Sequence, residues 1–370
     1  MKIGFMANYF YPATGGMEEL TFNIAKELVK KGHEVHVFTS DRKDNVIFCK
    51  EEVVDGVQIH RSRLYFNYKY YLKFNPGIAF KHLRYDLDVL HVQSLGFVFQ
   101  DIAVVLRKIF FKTKLINTPH GPFMALERYP LWQRLFRDIY VVLEYPINSL
   151  YDCAIEVNPE QHNWISKYGF RRVEFIPNSI PESMFKKVSL DNKFKGKFVI
   201  SYLGRVQKYK GLEQVIKVLP FLDKNVVFYI MGAEVDNEFN RLKEIAKSLG
   251  VLDRIVIAGR VNENEKLKGL DNTDVFILPS EWEAFGIVLI EAMARGCALV
   301  STKTEGGKFV VAKENGMLFD YGDVEGLKGI LLKLTKDKKL VEKMKKNNLS
   351  KSKEYLISNM IGKFEELYKK

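Results

Sequence analysis

Two cations in the second half of the chain are spaced to hold an anion. Arg205 and Lys210 lie in the segment GRVQKYKG (204–211), between a strand-like run and a helix-like run. Because they are separated by one short loop, a guanidinium fork and an ammonium can converge on a single phosphate-bearing group. Solvated loop charges are the plain alternative.

Two glutamates follow a later strand-like run. Glu283 and Glu291 stand in PSEWEAFGIVLIE (279–291), which leads from a strand into an apolar helix. If Glu283 opens that helix, the carboxylates are about 12 Å apart along its axis. This is wider than the roughly 5–9.5 Å of a hydrolase pair. We therefore expect the two to hold the ends of one long ligand, with backbone N–H groups at 285–287 meeting its charged middle. A solvated helix face explains the same spacing.

The first half of the chain carries a glycine turn and a histidine. Gly15 and Gly16 follow the first strand-like run and open a helix, whose first N–H groups can hold an anion. A tight turn explains them equally well, and the GxGxxG dinucleotide fingerprint does not stand there. His120, in TPHG (118–121), could donate to a substrate hydroxyl or act on charge developing at a reacting carbon. A structural histidine is the alternative.

These residues all lie where strands are expected to end. Strand-like runs alternate with helix or loop signals, which predicts parallel sheets covered on both faces. The runs begin at Lys2 and continue at 34–39, 57–61, 89–93, 114–120, 153–158, 198–206, 226–232, 254–259, 275–280 and 298–302. Ligands of such sheets bind at the carboxyl ends of the strands, so the motifs are expected to line one site.

An irregular stretch at 173–194 divides the chain. We predict two doubly wound α/β domains, 1–180 and 181–355, facing each other across a cleft. A final helical stretch covers 341–370, and its last part, 356–370, could pack on the first domain.

Composition limits the class of protein. The 370 residues are 47% hydrophobic and 28% charged, which is ordinary for a folded protein and excludes fibrous and disordered classes. The net charge of +12 favours anionic partners. Cys49, Cys153 and Cys297 form neither a CxxC pair nor a metal-ligand pattern, and no secretory signal or membrane span is visible, so we expect a cytoplasmic protein.

In this order and at these intervals, the motifs resemble those of the large retaining glycosyltransferase family with the GT-B fold, named for its glycogen synthase and sucrose-phosphate synthase-like members. The family's glycine-rich turn, HG, GRxxxxKG and E-x7-E motifs stand here as YPATGGME, PHG, GRVQKYKG and PSEWEAFGIVLIE. The resemblance implies two Rossmann-like domains and transfer of a sugar from a nucleotide-diphosphate donor to an acceptor, with retention at the anomeric carbon and with no metal or cofactor.

The resemblance also implies roles for single residues. Arg205 and Lys210 would hold the donor diphosphate, and Glu291 the ribose hydroxyls. Glu283 would contact the transferred sugar, and His120 would lie near its reacting carbon. We take His120, Glu283, Arg205 and Lys210 as the catalytic set. The other expected donor-binding residues are Gly15, Gly16, Arg260, Val261, Phe285, Gly286 and Ile287.

Some positions depart from the family pattern. Gln93 stands where the family often has histidine, and Lys308-Phe309 follow a Gly-Gly pair where it usually has proline and glutamate. We therefore carry no role over to Gln93 or to the residues around Gly307. The segment DLD (86–88) looks like the metal motif of the other glycosyltransferase fold, but it precedes a central strand, so we predict no metal site there.

A basic and aromatic segment lies outside these motifs. Residues 56–85 contain no acidic residue, and such segments can rest on an anionic leaflet. Contact with a membrane through residues 61–84 would imply a peripheral protein on the inner membrane face and a lipid-linked acceptor. A loop with its aromatics in the core, or less favourably a nucleic-acid groove, would also explain it. The residues are Arg61, Arg63, Lys69, Lys73, Lys81 and Arg84, with Tyr65, Phe66, Tyr68, Tyr70, Tyr71 and Phe74.

Two other functions stay open at this stage. A nucleotide-sugar epimerase or hydrolase of similar fold would consume donor without an acceptor. A non-catalytic nucleotide-sugar-binding subunit would bind donor and never turn it over. No recognisable nucleic-acid-binding module occurs in the sequence, so we expect no nucleic-acid partner.

Overall fold

The structure is a computed structural model that describes residues 1–13, 15–43, 46–68, 72–121, 130–189 and 193–370, without the side chain of Leu72. The chain divides into two compact units. Unit 1 comprises Met1–Ser179 with Ile357–Lys370, and unit 2 comprises Ile180–Leu356. Lys69, Tyr70 and Tyr71 of the basic and aromatic segment lie outside the described residues.

Unit 1 is built on a sheet with strand order β12-β11-β10-β9-β1-β2-β6-β5, in which only β5 is antiparallel to its neighbour. Two short antiparallel ribbons, β3–β4 and β7–β8, stand apart from it. The strands are β1 (Lys2–Met6), β2 (Glu34–Ser40), β3 (Arg42–Lys43), β4 (Val46–Ile47), β5 (Glu51–Val54), β6 (Val57–Ser62), β7 (Phe66–Tyr68), β8 (Leu72–Phe74), β9 (Val89–Val92), β10 (Lys114–Asn117), β11 (Cys153–Glu156) and β12 (Val173–Phe175).

The helices of unit 1 connect these strands. Leu20, Ile24 and Leu28 of α1 are buried, as the spacing of one apolar residue per turn predicts. They fill the core between the helix and the buried central strands. The helices are α1 (Gly16–Lys30), α2 (Ile78–Lys81), α3 (Val98–Phe110), α4 (Leu131–Asn148) and α5 (His162–Lys167).

Unit 2 is a parallel sheet with strand order β15-β14-β13-β16-β17-β18. The order reverses between β13 and β16, which is where open sheets of this kind bind ligands. Its strands are β13 (Phe198–Leu203), β14 (Val226–Met231), β15 (Ile255–Gly259), β16 (Val275–Leu278), β17 (Ala298–Thr302) and β18 (Gly316–Phe319). Its helices are α6 (Leu212–Val218), α7 (Glu238–Ser248), α8 (Glu263–Asp271), α9 (Ile287–Ala294), α10 (Glu305–Val310), α11 (Val324–Lys336) and α12 (Lys338–Lys351).

The final helical stretch is not one helix. A 3₁₀ turn at Ser352–Tyr355 and an extended Leu356 separate α12 from the last helix, α13 (Ile357–Lys369). The two halves belong to different units, because α12 is part of unit 2 and α13 is part of unit 1. Further short 3₁₀ turns lie at His82–Arg84, Pro159–Gln161, Glu182–Phe185, Lys208–Lys210, Leu219–Phe221 and Leu252–Arg254.

The fold class predicted from the sequence, two doubly wound Rossmann-like sheets, is confirmed. The stretch at 173–194 is less irregular than expected, since β12 occupies its start and pairs with β11. Within the part of the chain that the structure describes, no helix is both long and apolar enough to cross a membrane.

Candidate active site

In unit 2, glycines let the loop after β13 approach the loops after β14 and after β16. The Gly232 backbone passes so near Gly204 that a Cβ there would lie 1.8 Å from the Gly204 carbonyl oxygen. Gly211 has φ +67°, and its Cβ would lie 2.3 Å from the Pro279 carbonyl oxygen. A larger residue at position 211 would push the two loops apart. Glycine there places the 3₁₀ turn that carries Lys210 beside the residues that follow β16.

Lys210 and Glu283 form an ion pair across these two loops. The Lys210 ammonium donates to Glu283 Oε1, and the Ser280 hydroxyl donates to the same oxygen at 2.8 Å. Their side chains are only 12% and 15% exposed. Burial by itself would lower the pKa of Lys210, but the Glu283 carboxylate outweighs it and the pKa is raised. Lys210 is therefore a fixed, largely desolvated cation at the switch point of the sheet.

Arg205 follows β13 after Gly204 and is more exposed than Lys210. Arg205 is exposed, and its carbonyl oxygen accepts a hydrogen bond from the Tyr202 hydroxyl at 2.8 Å. The pair Arg205 and Lys210 is thus held by one loop whose start is fixed by Tyr202 and whose end is fixed by Glu283.

The premise that Glu283 opens a helix is wrong. Helix α9 begins at Ile287, after Gly286 with φ +76°, so Glu283 lies in the connection that precedes the helix. The Glu283 carbonyl accepts from the Gly306 backbone N–H at 3.0 Å, which fixes the connection. The Phe285 side chain is buried, so at this position only the backbone can approach a ligand.

Glu291 is paired with a lysine that the sequence analysis did not single out. Lys266, on α8, donates to Glu291 Oε1 at 2.8 Å and also contacts Glu263 at 2.8 Å. Glu291 is buried, so this contact orients one of its carboxylate oxygens. Nothing local marked Lys266, since the pair joins two helices that are distant in sequence.

Arg260 and Val261 come directly after β15, where Gly259 has φ +70°. Arg260 is exposed and Val261 is half-buried. Both therefore stand at the same carboxyl edge of the unit 2 sheet as Arg205, as expected for residues that follow parallel strands.

In unit 1, His120 follows β10 with φ +60° and lines a small cavity together with Gln93, Thr118 and Asn178. Its Nε2 donates to Gln93 Oε1 at 2.9 Å, and burial lowers the pKa of His120 to about 4. The ring is therefore neutral at physiological pH, with its proton on Nε2 and Nδ1 as its acceptor. In this geometry the N–H is directed at Gln93, and the role of His120 toward a substrate hydroxyl stays a prediction.

A chain of hydrogen bonds fixes the direction of the Gln93 amide. Its Nε2 donates to His91 Nε2 at 3.1 Å, and His91 Nδ1 lies 2.7 Å from the Tyr368 hydroxyl on α13. Burial lowers the pKa of His91 to about 3, so this ring is neutral. Because the Gln93 Nε2–H donates to Nε2, the ring proton lies on Nδ1. Gln93, which the family pattern left without a role, thus presents its carbonyl oxygen to His120. Gln93 directly follows β9 and lies two residues after His91, so alternation along an extended chain places both side chains on the same side, which was readable in the sequence.

The glycine turn of unit 1 is occupied by a carboxylate. Helix α1 begins at Gly16, and a Cβ at Gly15 would lie 2.2 Å from Glu18 Oε2. Lys43 holds the same carboxylate by donating to its Oε1 at 2.8 Å. An anion that approaches Gly15 must displace Glu18, a flexible side chain. Thr14 of this motif and residues 122–129 after His120 lie outside the described residues.

The basic and aromatic segment does not form one surface. Arg61 is buried and donates to the Tyr11 carbonyl at 2.7 Å and to Glu52 at 2.5 Å, and Lys81 is paired with Glu51. These two cations therefore cannot meet a membrane as predicted. The aromatics of the β7–β8 ribbon are half or more exposed: Tyr65, Phe66, Tyr68 and Phe74.

In the DLD segment (86–88), for which we predicted no metal site, Asp88 has a backbone partner. Asp88 Oδ2 accepts from the Lys2 backbone N–H at 2.7 Å. Among the residues that the structure describes, no group of three His, Cys, Asp or Glu side chains is arranged to hold a metal ion.

Comparison with known proteins agrees with this geometry. Residues 185–351 match the model of Glycosyl transferases group 1, and residues 14–183 match that of Glycosyltransferase Family 4. The chain is 25% identical to N-acetyl-alpha-D-glucosaminyl L-malate synthase of Bacillus anthracis, over 100% of this chain and 96% of that protein. It is 26% identical to phosphatidyl-myo-inositol mannosyltransferase of Mycolicibacterium smegmatis, over 92% of this chain and 86% of that protein.

Among solved structures, sucrose-phosphate synthase from Thermosynechococcus elongatus superposes with a TM-score of 0.85 and 18% identity, over 100% of this chain and 98% of that one. This likeness shows the fold. Two glycosyltransferase models together span nearly the whole chain, and the chain has the GT-B fold of these enzymes.

Proposed function

We propose that this glycosyltransferase moves a sugar from a nucleotide-diphosphate donor to an acceptor, with retention at the anomeric carbon and without a bound metal. The observation that carries the proposal is the buried Lys210–Glu283 pair at the switch point of unit 2. A preformed cation at this position stabilises the negative charge that develops on a departing diphosphate. Arg205, on the same loop, supplies a second cation of suitable geometry.

The other residues of unit 2 suit the rest of the donor. Glu291, oriented by Lys266, suits the ribose hydroxyls, and the α9 N-terminus after Gly286 suits the phosphates. Arg260 and Val261 suit the base. Glu283 suits a hydroxyl of the transferred sugar, since its Oε1 is already held by Lys210 and Ser280.

In unit 1 we assign His120 to the transferred sugar, as an acceptor through Nδ1. Gly15 and Gly16 suit the diphosphate once the Glu18 carboxylate has moved away. For the acceptor we favour a lipid-linked sugar or a cell-surface glycan precursor. The printed name of the mycobacterial relative describes a mannosyltransferase acting on a phosphatidylinositol, which supports the lipid alternative.

The central test removes the buried cation. Lys210→Ala is expected to slow transfer by on the order of 10²-fold or more, since it deletes one preorganised donor to the leaving group. Lys208→Ala is the matched control, because Lys208 lies on the same 3₁₀ turn and is exposed. Transfer rates near normal in Lys210→Ala would remove the proposed mechanism.

Three further readouts separate the finer claims. Donor consumption that needs no acceptor would favour the epimerase or hydrolase alternative, and donor binding without any turnover would favour a non-catalytic subunit. An inverted anomer in the product, measured by NMR, would contradict retention. A large loss of rate after treatment with a chelator would contradict transfer without a metal.

A further inference from the structure

Helix α4 is packed with its polar side against unit 1 and its apolar side outward. Gln133, Glu144 and Asn148 are buried. A helix on the surface of a soluble protein ordinarily does the opposite. The outward residues are 55 to 79% exposed and comprise Leu131, Trp132, Leu135, Ile139, Val142 and Leu143.

Specific hydrogen bonds hold this orientation. Glu144 shares a hydrogen bond with Asp101 of α3, and the Tyr140 hydroxyl donates to Asp101 Oδ2 at 3.3 Å. Burial raises the pKa of both carboxyl groups, so the pair keeps a proton more readily than carboxyl groups in water. Asn148 donates to the Tyr168 carbonyl at 2.9 Å. Rolling α4 over would break these contacts, so its exposed apolar side is built into unit 1.

The neighbouring helix extends the same surface. Helix α3 exposes Val98, Ile102, Ile109 and Phe110 and contacts α4 through Asp101. We call the outward residues of the two helices the α3–α4 face. Contiguous apolar surface of this kind marks a site of interaction with a partner or a membrane.

The charges around the α3–α4 face are mainly positive. Lys108, Lys112 and Arg134 are exposed, and the carboxyl groups of Asp101 and Glu144 are buried. Two exposed carboxylates, Asp138 and Asp152, are paired with Arg137 and Lys108, so Lys112 and Arg134 give the excess of positive charge. An anionic bilayer fits both features, since acyl chains cover the apolar residues and phosphates meet the cations.

The length of the helix suits the plane of a bilayer. The 18 residues of α4 extend about 27 Å. Trp132 and Tyr145 add the amphipathic rings that favour the interfacial region. We propose that the α3–α4 face of unit 1 binds the interface of an anionic lipid bilayer, with α4 parallel to the membrane plane. This inference goes beyond the proposed sugar transfer and does not depend on it.

The test uses the full chain and vesicles without any acceptor. Wild type is expected to sediment with vesicles in which a third of the lipid is phosphatidylglycerol, and to bind pure phosphatidylcholine vesicles more weakly. The double variant Leu135→Glu/Val142→Glu is expected to weaken the binding about tenfold or more, because it places two charges where exposed apolar side chains would enter the bilayer interface. Ile47→Glu, at an exposed apolar position on β4, is the matched control.

A fluorescence readout locates the contact. In the background Trp164→Phe/Trp282→Phe, Trp132 is the remaining tryptophan of three, and its emission is expected to shift to the blue on anionic vesicles. Circular dichroism and thermal unfolding check that each variant is folded. The proposal is overturned if wild type binds neither kind of vesicle, or if Leu135→Glu/Val142→Glu binds them as wild type does. It is also overturned if the wild-type chain is a dimer in solution and the double variant is a monomer.

Discussion

At the scale of single residues, one contact sets the chemical state of His120. Its Nε2–H is directed at the Gln93 carbonyl oxygen, and burial lowers its pKa to about 4. The ring therefore stays neutral through the physiological range and offers Nδ1 as an acceptor. A charged imidazolium would instead lose that acceptor and repel the positive charge that develops on a sugar ring during transfer.

The variant Gln93→Glu tests this state. A carboxylate beside Nε2 stabilises the imidazolium and raises the pKa of His120, so the ring becomes protonated at a higher pH than in wild type. The rate of transfer is expected to fall with decreasing pH in the variant where the wild-type rate is still level. The pH profile of kcat/KM and the NMR titration of the His120 ring measure the shift.

Gln93→Leu serves as the companion variant, since it removes the acceptor without adding a charge. It is expected to lower kcat while leaving the pH profile without the new acidic limb. Identical pH profiles for wild type and Gln93→Glu would show that Gln93 does not position the ring.

At the scale of elements, the loop after β13 depends on one backbone conformation and one close contact. Gly211 has φ +67°, and a Cβ there meets the Pro279 carbonyl oxygen at 2.3 Å. Gly250 has the same φ of +67° with nothing within 4 Å of the corresponding position. The two glycines therefore differ in steric contact and not in backbone angle.

Gly211→Ala is expected to displace Lys210 from Glu283 and to weaken donor binding. Gly250→Ala is expected only to lower the free energy of unfolding, by about 1–2 kcal/mol, which is what the left-handed backbone conformation costs a residue with a Cβ. Urea unfolding measures the stability of each variant, and the thermal shift caused by nucleotide-diphosphate sugars measures binding. Equal losses in both variants would show that the contact with the loop after β16 is not needed.

At the scale of the whole molecule, the chain returns to its first unit at its end. Helix α13 belongs to unit 1, where Glu365 contacts His33 at 2.9 Å and the Tyr368 hydroxyl meets His91. The last residues are therefore part of the fold that supports His120.

Tyr368→Phe is expected to destabilise unit 1 by about 1–3 kcal/mol, because the buried His91 N–H loses its acceptor. Hydrogen exchange should accelerate in β9, β10 and α13 and stay unchanged in α12. The control is Tyr65→Phe, at an exposed tyrosine of unit 1. Acceleration that spreads equally into α12 would contradict the division of the last two helices between the units.

Much of the fold was predictable because its signals are local. The apolar residues of α1 repeat within one turn, and the buried strands of unit 2 are short apolar runs followed by glycine or proline. The positions of Arg205, Lys210 and His120 after strands followed from the same patterns. The orientation of α4 was not predictable, since an amphipathic pattern ordinarily predicts that the apolar side faces inward, and in α4 the polar side does.

The sequence by itself determined the strand and helix succession, the two Rossmann-like sheets and the motifs at the strand ends. Only the tertiary structure decided the pairs Lys210–Glu283, Lys266–Glu291 and His120–Gln93. The reason is physical: each pair joins residues from different elements, and their separation depends on strand order and on how helices pack. Periodicity along the chain carries no information about contacts of that kind.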